Sequence, residues 1–423
     1  MRGHALRPIA LAAALGAGLL VLAVSQLGNL FQVDATTFYA AGRMWLDGLD
    51  PYGPQFAAYA AAHGLPPQFV WVYPPQWWLI ATGLACLAPH HAFLAWKAAN
   101  LVLLGGAAIL AWLAANGPGR PVPPAAAIAF LLFACFSDAA LAGFDLGQTN
   151  VLVLFGFAAM MFGLRRGNAA ISGLGLTLLL LKPQFGLIFA AVALSRRELR
   201  RPAMLALAAT GLLCLPLIVV SGLGGFAESM ERLLANLSVY PTLKWNRPLE
   251  LAGLDFVAAL SGGPELSALL YVALAIGSCL LALRRHGPIE DVWIATVAAA
   301  VFVLPLHGYD FLLAGTLLLL IRHLRRWAAV CLCLALGLVF RPINFALLIG
   351  AGPVPYEQVW PSTIAYMASY TLAGLLIFVA GLSGRTSYGA LVDLPDGGHD
   401  PVRRDPMDHV TVPLQPVKAA LRQ

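Results

Sequence analysis

The stretch "QVDATTFYAAGRMWLDGLDPYGP", residues 32–54, interrupts a chain that is otherwise largely apolar. It carries Asp34, Asp47 and Asp50 and ends in a Pro-Tyr-Gly-Pro stop. Asp34 stands within three residues of the end of the first apolar run, Ile9 to Phe31. A polar, aromatic segment between two apolar runs reads as a loop outside the hydrocarbon, so the runs on either side read as membrane spans. Aspartate is a favoured helix N-cap and Thr37 follows at the N3 position, which predicts a short interfacial helix from Asp34 to Leu46. A cap residue at a cavity mouth still presents a carboxylate. Asp50-Pro51-Tyr52-Gly53-Pro54 then turns the chain, and a second short helix follows near Gln55 to His63.

Composition agrees. Of 423 residues, 60% are hydrophobic and 11% charged, against about 25% charged in soluble domains. Apolar stretches of roughly 17–25 residues recur between residues 9 and 381, each able to cross a core of about 30 Å. Leu and Ala runs without period-2 alternation specify helices rather than a barrel. Arg2, Arg7 and a loosely cleavage-like Ala23-Val24-Ser25 raise a signal peptide for the first run, but its core is longer than a signal core and many spans follow. The cysteines (Cys86, Cys135, Cys214, Cys279, Cys331, Cys333) all fall inside apolar runs and read as small hydrophobes, with neither a metal site nor a disulfide framework indicated. The net charge of +6 resides in clusters at span ends, a topology signal and not a nucleic-acid surface.

Arg196-Arg197-Glu198-Leu199-Arg200-Arg201, Arg284-Arg285-His286 and Arg322-His323-Leu324-Arg325-Arg326 mark cytoplasmic loops. The expected architecture is an all-α polytopic bundle of about twelve crossings: 9–31, 73–89, 92–115, 124–143, 149–164, 170–194, 203–222, 266–284, 289–306, 309–321, 327–350 and 361–381. Both termini are then inside, and residues 32–72, 223–265, the His307 turn and 351–360 are outside. This parity leaves Arg165 and Arg166 outside, against the charge trend. A hairpin turning at Lys182-Pro183-Gln184 is the alternative for 170–194, and one broken helix is preferred because each hairpin arm is too short to span. Residues 1–385 form the membrane-embedded domain. After Arg385 the chain turns rich in Pro, Gly, Asp and Arg, and 386–423 reads as a disordered cytoplasmic tail. No internal repeat is visible.

Polar groups at membrane depth are costly and usually mark a cavity or pathway. Here they are Asp34, Lys97, Asp138, Asp145, Gln148, Asn150, Lys182, Gln184, His307 and Asp310. Snorkelling accounts for Lys97 near its span end. Lys182, mid-span beside Pro183, lacks that route and needs an anion, for which a lipid phosphate is suitable. "FVWVYPPQWWLI" (69–80) supplies an aromatic belt with Tyr73, and Tyr73-Pro74-Pro75 fixes the angle at which the chain re-enters the membrane. "LPLHGYDFLL" (304–313) puts His307, Tyr309 and Asp310 in a tight turn on the face of Asp34.

Asp34, "FYAAGRMWLDGLDPYGP", "VYPPQ", "GQTNVLVL", "LKPQFGL" and "LHGYDF", in this order, resemble the bacterial family 87 glycosyltransferases, multi-span GT-C enzymes that include polyprenol-phosphate-mannose-dependent mannosyltransferases. The resemblance covers roughly residues 9–380. It implies a sugar, mannose in the relatives it points to, moved from a polyprenyl-phosphate carrier to a glycan or glycolipid acceptor on the outer face of the cytoplasmic membrane. It also implies an acidic residue at the exit of the first helix, two short helices along the membrane, and a long outer loop after the seventh helix, which Asp34, the loop following it and residues 223–265 match. "KWNRPLELAG" (244–253) departs from the Asn-x-Ser-like motif of relatives, and the tail has no counterpart.

The chemistry needs one base for the acceptor hydroxyl and cations for the leaving phosphate. Asp34 is the expected base. Lys182, Arg247 and His307 are the expected phosphate contacts, and Tyr39, Tyr73, Gln148, Asn150, Gln184 and Asp310 line the cavity. A β-linked donor then gives an inverted α-linked product in one displacement, since a retaining route wants a second carboxylate close by. No obligatory cofactor or metal is expected, although a divalent ion could assist the phosphate. Two competing readings are a lipid or solute transporter, or flippase, whose path would be lined by Lys182, Asp145 and His307, and a polymerase or ligase of lipid-linked oligosaccharides. Oligomeric state is not legible.

Overall fold

Leu, Ala and Val dominate the runs between the polar segments, and nothing in an apolar run competes with the backbone for its own hydrogen bonds, so the runs close into helices. The computed structural model describes residues 2–25, 32–65, 69–116, 121–243, 246–262, 268–282, 289–340 and 363–383. The sequence reading of the arginine pair at 284–285, of the loop at 351–360 and of the tail at 386–423 lies outside the described residues. The helices are α1 (Arg2–Ser25), α2 (Val33–Leu46), α3 (Phe56–Ala62), α4 (Trp78–Ala85), α5 (Pro89–Ala115), α6 (Pro124–Phe136), α7 (Asp138–Leu146), α8 (Asn150–Arg165), α9 (Ala169–Leu180), α10 (Pro183–Ser195), α11 (Arg200–Val239), α12 (Leu254–Leu260), α13 (Ala268–Ala282), α14 (Ile289–Val303), α15 (Arg326–Phe340) and α16 (Thr363–Ser383). Among the described residues four helical stretches, Pro89–Ala115, Pro124–Leu146, Arg197–Thr242 and Ile364–Leu382, are long and apolar enough to cross a membrane.

Two sets of contacts define two ends of the bundle. At one, Arg165 Nε donates to the Ala114 carbonyl at 3.0 Å, its guanidinium pairs with Glu290, and Arg322 Nη2 donates to the Ala115 carbonyl at 3.0 Å. Asn168, Arg196 and Arg201 line one cavity there. At the other end Trp96 Nε1 donates to the Gly147 carbonyl and Trp77 Nε1 to the Leu181 carbonyl, both at 2.8 Å.

This arrangement corrects two expectations. Residues 73–89 do not make a crossing: α4 has eight residues, about 12 Å of helix, and packs against α2, where Gly42 has no room for a Cβ because it would meet the Ala81 carbonyl oxygen at 2.0 Å. Residues 170–194 are the hairpin and not one broken helix. The start of α9 and the end of α10 share the arginine end, and Lys182 is the tip. The break is local chemistry. Pro183 disfavours the α conformation at Lys182, which takes φ −117°, ψ 87°, and itself suits the first position of α10. Gly186 lets the arms close, since a Cβ there would lie 2.5 Å from Leu180 Cα. With 73–89 removed from the crossings, Arg165 and Arg166 join the other arginines, and the conflict with the charge trend disappears.

The segment Gly308–His323 is a 3₁₀ helix, unusually long for that form, and its residues 308–320 are all buried. Its steeper rise, about 2.0 Å per residue, carries 16 residues some 32 Å, where an α-helix of that length covers about 24 Å. The short apolar run at 309–321 thereby links the two ends. At the end away from the arginines the two long loops meet: Arg232 Nη1 reaches Asp50 Oδ2 at 2.9 Å, and Asn236 Nδ2 donates to the carbonyls of Tyr52 at 3.2 Å and Trp71 at 3.0 Å. A kink at Gly222, φ +71°, lets α11 fold over that end.

In a cysteine-free background, single cysteines at the exposed positions Gly64 and Arg166 are expected to react with an impermeant thiol reagent from opposite sides of the membrane. Labelling of both from one side would restore 73–89 as a crossing.

Candidate functional site

Asp34 is not an N-cap. The helix starts one residue earlier, with extended Gln32 as its cap residue, and Thr36 Oγ1 and Thr37 Oγ1 return to the carbonyls of Gln32 and Val33. The half-buried Asp34 carboxylate therefore stays off its own backbone and meets Gln148 instead. Gln148 is held beside it by the turn before α8. Gly147, at φ +69°, packs so closely on Gln32 and Ala35 that a Cβ would stand 2.6 Å from Gln32 Oε1. Thr149 N donates to Gln148 Oε1 at 3.4 Å, which directs the amide NH₂ of Gln148 to the carboxylate.

Lys182 and Asp310 form a buried ion pair at the same end. The ammonium lies 5.2 Å from the Tyr309 ring centroid and 5.6 Å from that of Phe185. The hairpin tip is pinned by Trp77. The Asp310 turn is pinned by Asn150, whose Nδ2 donates to the Tyr309 carbonyl at 3.0 Å and to the Ala139 carbonyl at 3.2 Å. Behind that turn, Tyr366 and Tyr370 donate to Asp138 Oδ2 at 2.7 and 3.0 Å, and Gly308 leaves the space their rings occupy. Asp138 and Asn150 thus act as braces.

Burial in this low-dielectric corner raises the Asp34 carboxyl to about 7; the Gln148 bond and the Lys182 charge oppose the rise, and Asp310 adds to it. Burial holds His307 down at about 4, so it is neutral at pH 7. Its Nε2 donates to Asn246 Oδ1 at 3.1 Å, while Asn246 Nδ2 donates to the Tyr240 carbonyl. His307 thus offers a hydrogen bond, and burial disfavours its charged form. Tyr73 and Tyr240 have hydroxyls pushed up by burial and by the Asp34 charge.

The remaining expected residues scatter. Tyr39 faces away: its hydroxyl donates to the Leu87 carbonyl at 3.2 Å and its ring packs on His63 and Phe93, which ties α2 to the α4–α5 turn. Arg247 is exposed, next to Asn246, with no ion pair among the described residues. Gln184 is half-buried in the first turn of α10. Lys97 is buried within the bundle, with the charge of Asp145 near it. Tyr309 lies beside the Lys182 ammonium, as its place in the 304–313 turn suggested, whereas Tyr240 and Asn246 belong to the site although no spacing in the sequence signals them.

A polar cluster of this kind, with one carboxyl raised by burial beside a buried cation, is suited to proton removal next to a bound anion. The family model of glycosyltransferase family 87 matches residues 71–306, more than half of the chain. The chain belongs to glycosyltransferase family 87. It is therefore a glycosyltransferase of the membrane-embedded kind. No curated protein matches it. The family match spans Tyr73, Gln148, Asn150, Lys182, Tyr240 and Asn246, and the transferase adds Asp34 and Asp310 from outside the matched segment.

The raised Asp34 carboxyl has a thermodynamic sign. Unfolded, it loses its proton near 3.8; folded, it keeps it to about 7, so the folded transferase binds more protons in between and loses stability as pH rises through that window. The full cost, reached above pH 7, is roughly 4 kcal/mol. Asp34→Asn is expected to melt higher than the parent at pH 8, with the difference shrinking toward pH 4, in thermal scans of detergent-purified protein.

Proposed function

We propose that this transferase moves a sugar, mannose, from a polyprenyl-phosphate donor to a glycan or glycolipid acceptor at the outer face of the cytoplasmic membrane, with inversion, and with Asp34 as general base. The observation that carries the reading is the meeting of Asp34, Gln148, Lys182 and Asp310 at the end of the bundle opposite the arginines. In the proposed mechanism the acceptor hydroxyl gives its proton to Asp34 as its oxygen attacks the anomeric carbon. The bond to the carrier phosphate breaks on the opposite side, and the leaving phosphate keeps the electron pair. Lys182 balances that charge, which it can do without needing a metal or a nucleotide. Asp310 is occupied by Lys182, so a single open carboxylate remains, as an inverting displacement requires. Gln148 orients Asp34, His307 and Tyr73 supply hydrogen bonds, and Arg247 is a further phosphate contact if its loop closes on bound donor.

The same reading gives the GT-C arrangement its twelve passages: α4 is withdrawn as a crossing and the α9–α10 hairpin counts as two. The arginine end is the cytoplasmic one. A transporter or flippase is disfavoured because the polar side chains gather at one end instead of lining a path between both.

Membranes supplied with radiolabelled polyprenyl-phosphate mannose are expected to transfer label, and Asp34→Asn should remove most of it, by about 100-fold or more. Near-normal transfer by purified Asp34→Asn would sink the assignment.

The acid limb of kcat/KM is expected near pH 7. Removing the negative charge in Asp310→Asn should move it down, and removing the positive charge in Lys182→Gln should move it up. Lys182→Gln should also weaken binding of a non-hydrolysable lipid-phosphate analogue, and Lys182→Arg should recover part of it. Shifts of the same sign in both variants would argue for a merely structural pair.

A further inference from the structure

The end of the bundle away from Asp34 holds a cavity of about 420 Å³, walled by the end of α8 and the α8–α9 turn, Ser172, residues Arg196, Glu198, Leu199, Arg201 and Pro202 where α10 passes into α11, and the start of α14. We propose that it binds the phosphodiester headgroup of an anionic membrane lipid.

The lining is divided in the way such a ligand requires. Arg196 and Arg201 lie in one wall with Glu198 between them, and Arg166, Arg197 and Arg200 stand next to lining residues in sequence. Positive charge therefore exceeds negative at the mouth. The first turn of α9 opens into the same space: Asn168 Oδ1 caps Ile171 N at 3.1 Å, which leaves the amides of Ala169 and Ala170 without an intrahelical acceptor and directed out of the helix end. Leu164, Leu199, Pro202 and Val292 make the other wall apolar, and they continue into a narrow apolar cleft against Leu176 and Phe189. A small soluble anion has no use for that wall.

The flank of α11 supplies the place for an acyl chain. From Met204, 60% exposed, through Leu212, 64% exposed, to Val219, 79% exposed, it presents apolar side chains outward, beginning one turn from Arg201. Phosphate at the arginines and chains along α11 is the orientation of a lipid in the leaflet where basic span ends collect. Closure around the cavity is firm: Gly163 approaches α9 so closely that a Cβ would lie 2.5 Å from Ser172 N, and the Arg165–Glu290 pair ties the α8 end to α14. The site is separate from the groups that carry the proposed transfer.

The test uses the full chain, purified in detergent and offered mixed micelles of phosphatidylglycerol and phosphatidylcholine, with retained lipid read by native mass spectrometry. The parent is expected to retain one phosphatidylglycerol in preference to phosphatidylcholine. Arg196→Gln with Arg201→Gln should lower that retention roughly tenfold, the exposed single change Arg201→Gln severalfold, and the double Arg→Lys change should keep most of it. Arg43→Gln, an exposed arginine on α2, should leave it unchanged. Undiminished retention in the double and the single Gln variants, or an equal loss in Arg43→Gln, overturns the proposal. Complete displacement of the lipid by millimolar inorganic phosphate overturns it too, in favour of a soluble-anion site.

Discussion

The pairing of Lys182 with Asp310 is the constraint on which the rest of this end depends. The two residues lie 128 positions apart, one at a hairpin tip and one at the head of a buried 3₁₀ helix. Neither charge is tolerable alone among apolar neighbours. Burying them as a pair fixes the depth of the hairpin and the register of the 3₁₀ segment together, and it leaves a cation beside Asp34 whose own counter-charge is already in place.

Around that pair the protein spends ordinary backbone carbonyls as anchors. Trp77 takes Leu181, Trp96 takes Gly147, and Asn150 takes Tyr309, so each turn that presents a polar side chain is held by a donor from a different helix. Phe38 stacks on Trp77 with centroids 4.6 Å apart and planes at 7°, which carries the same bracing back to the helix of Asp34. A site assembled this way keeps its geometry with few free side chains to order, which is what electrostatic catalysis needs. The raised Asp34 carboxyl is the cost of the same dryness.

The opposite end follows a different rule. There arginines, not pairs buried at depth, gather where helices finish, donating to the last carbonyls of α5 from Arg165 and Arg322. Cations at helix C-termini complement the unsatisfied carbonyls, so the charge that orients the chain also caps it.

Much of this was legible in the residues. Apolar length and the absence of alternation specified a helical membrane bundle. The polar interruption at 32–54 specified two short helices, found at Val33–Leu46 and Phe56–Ala62, because helix propensity and turn chemistry act over a few residues. The cost of a buried charge singled out Lys182 and Asp310 for the same reason. Partnership was not legible. Lys182 could be seen to need an anion, but that Asp310 supplies one, that Tyr39 faces away from Asp34, that His307 bonds to Asn246, and that Tyr240 and Asn246 arrive from a distant loop are all consequences of packing between segments far apart in the chain. The crossing at 73–89 and the single helix at 170–194 failed for one physical reason. Hydropathy measures whether a segment tolerates an apolar environment, and α4, α9 and α10 obtain theirs largely from neighbouring helices, so the choice between crossing, lying flat and turning back belonged to the tertiary structure.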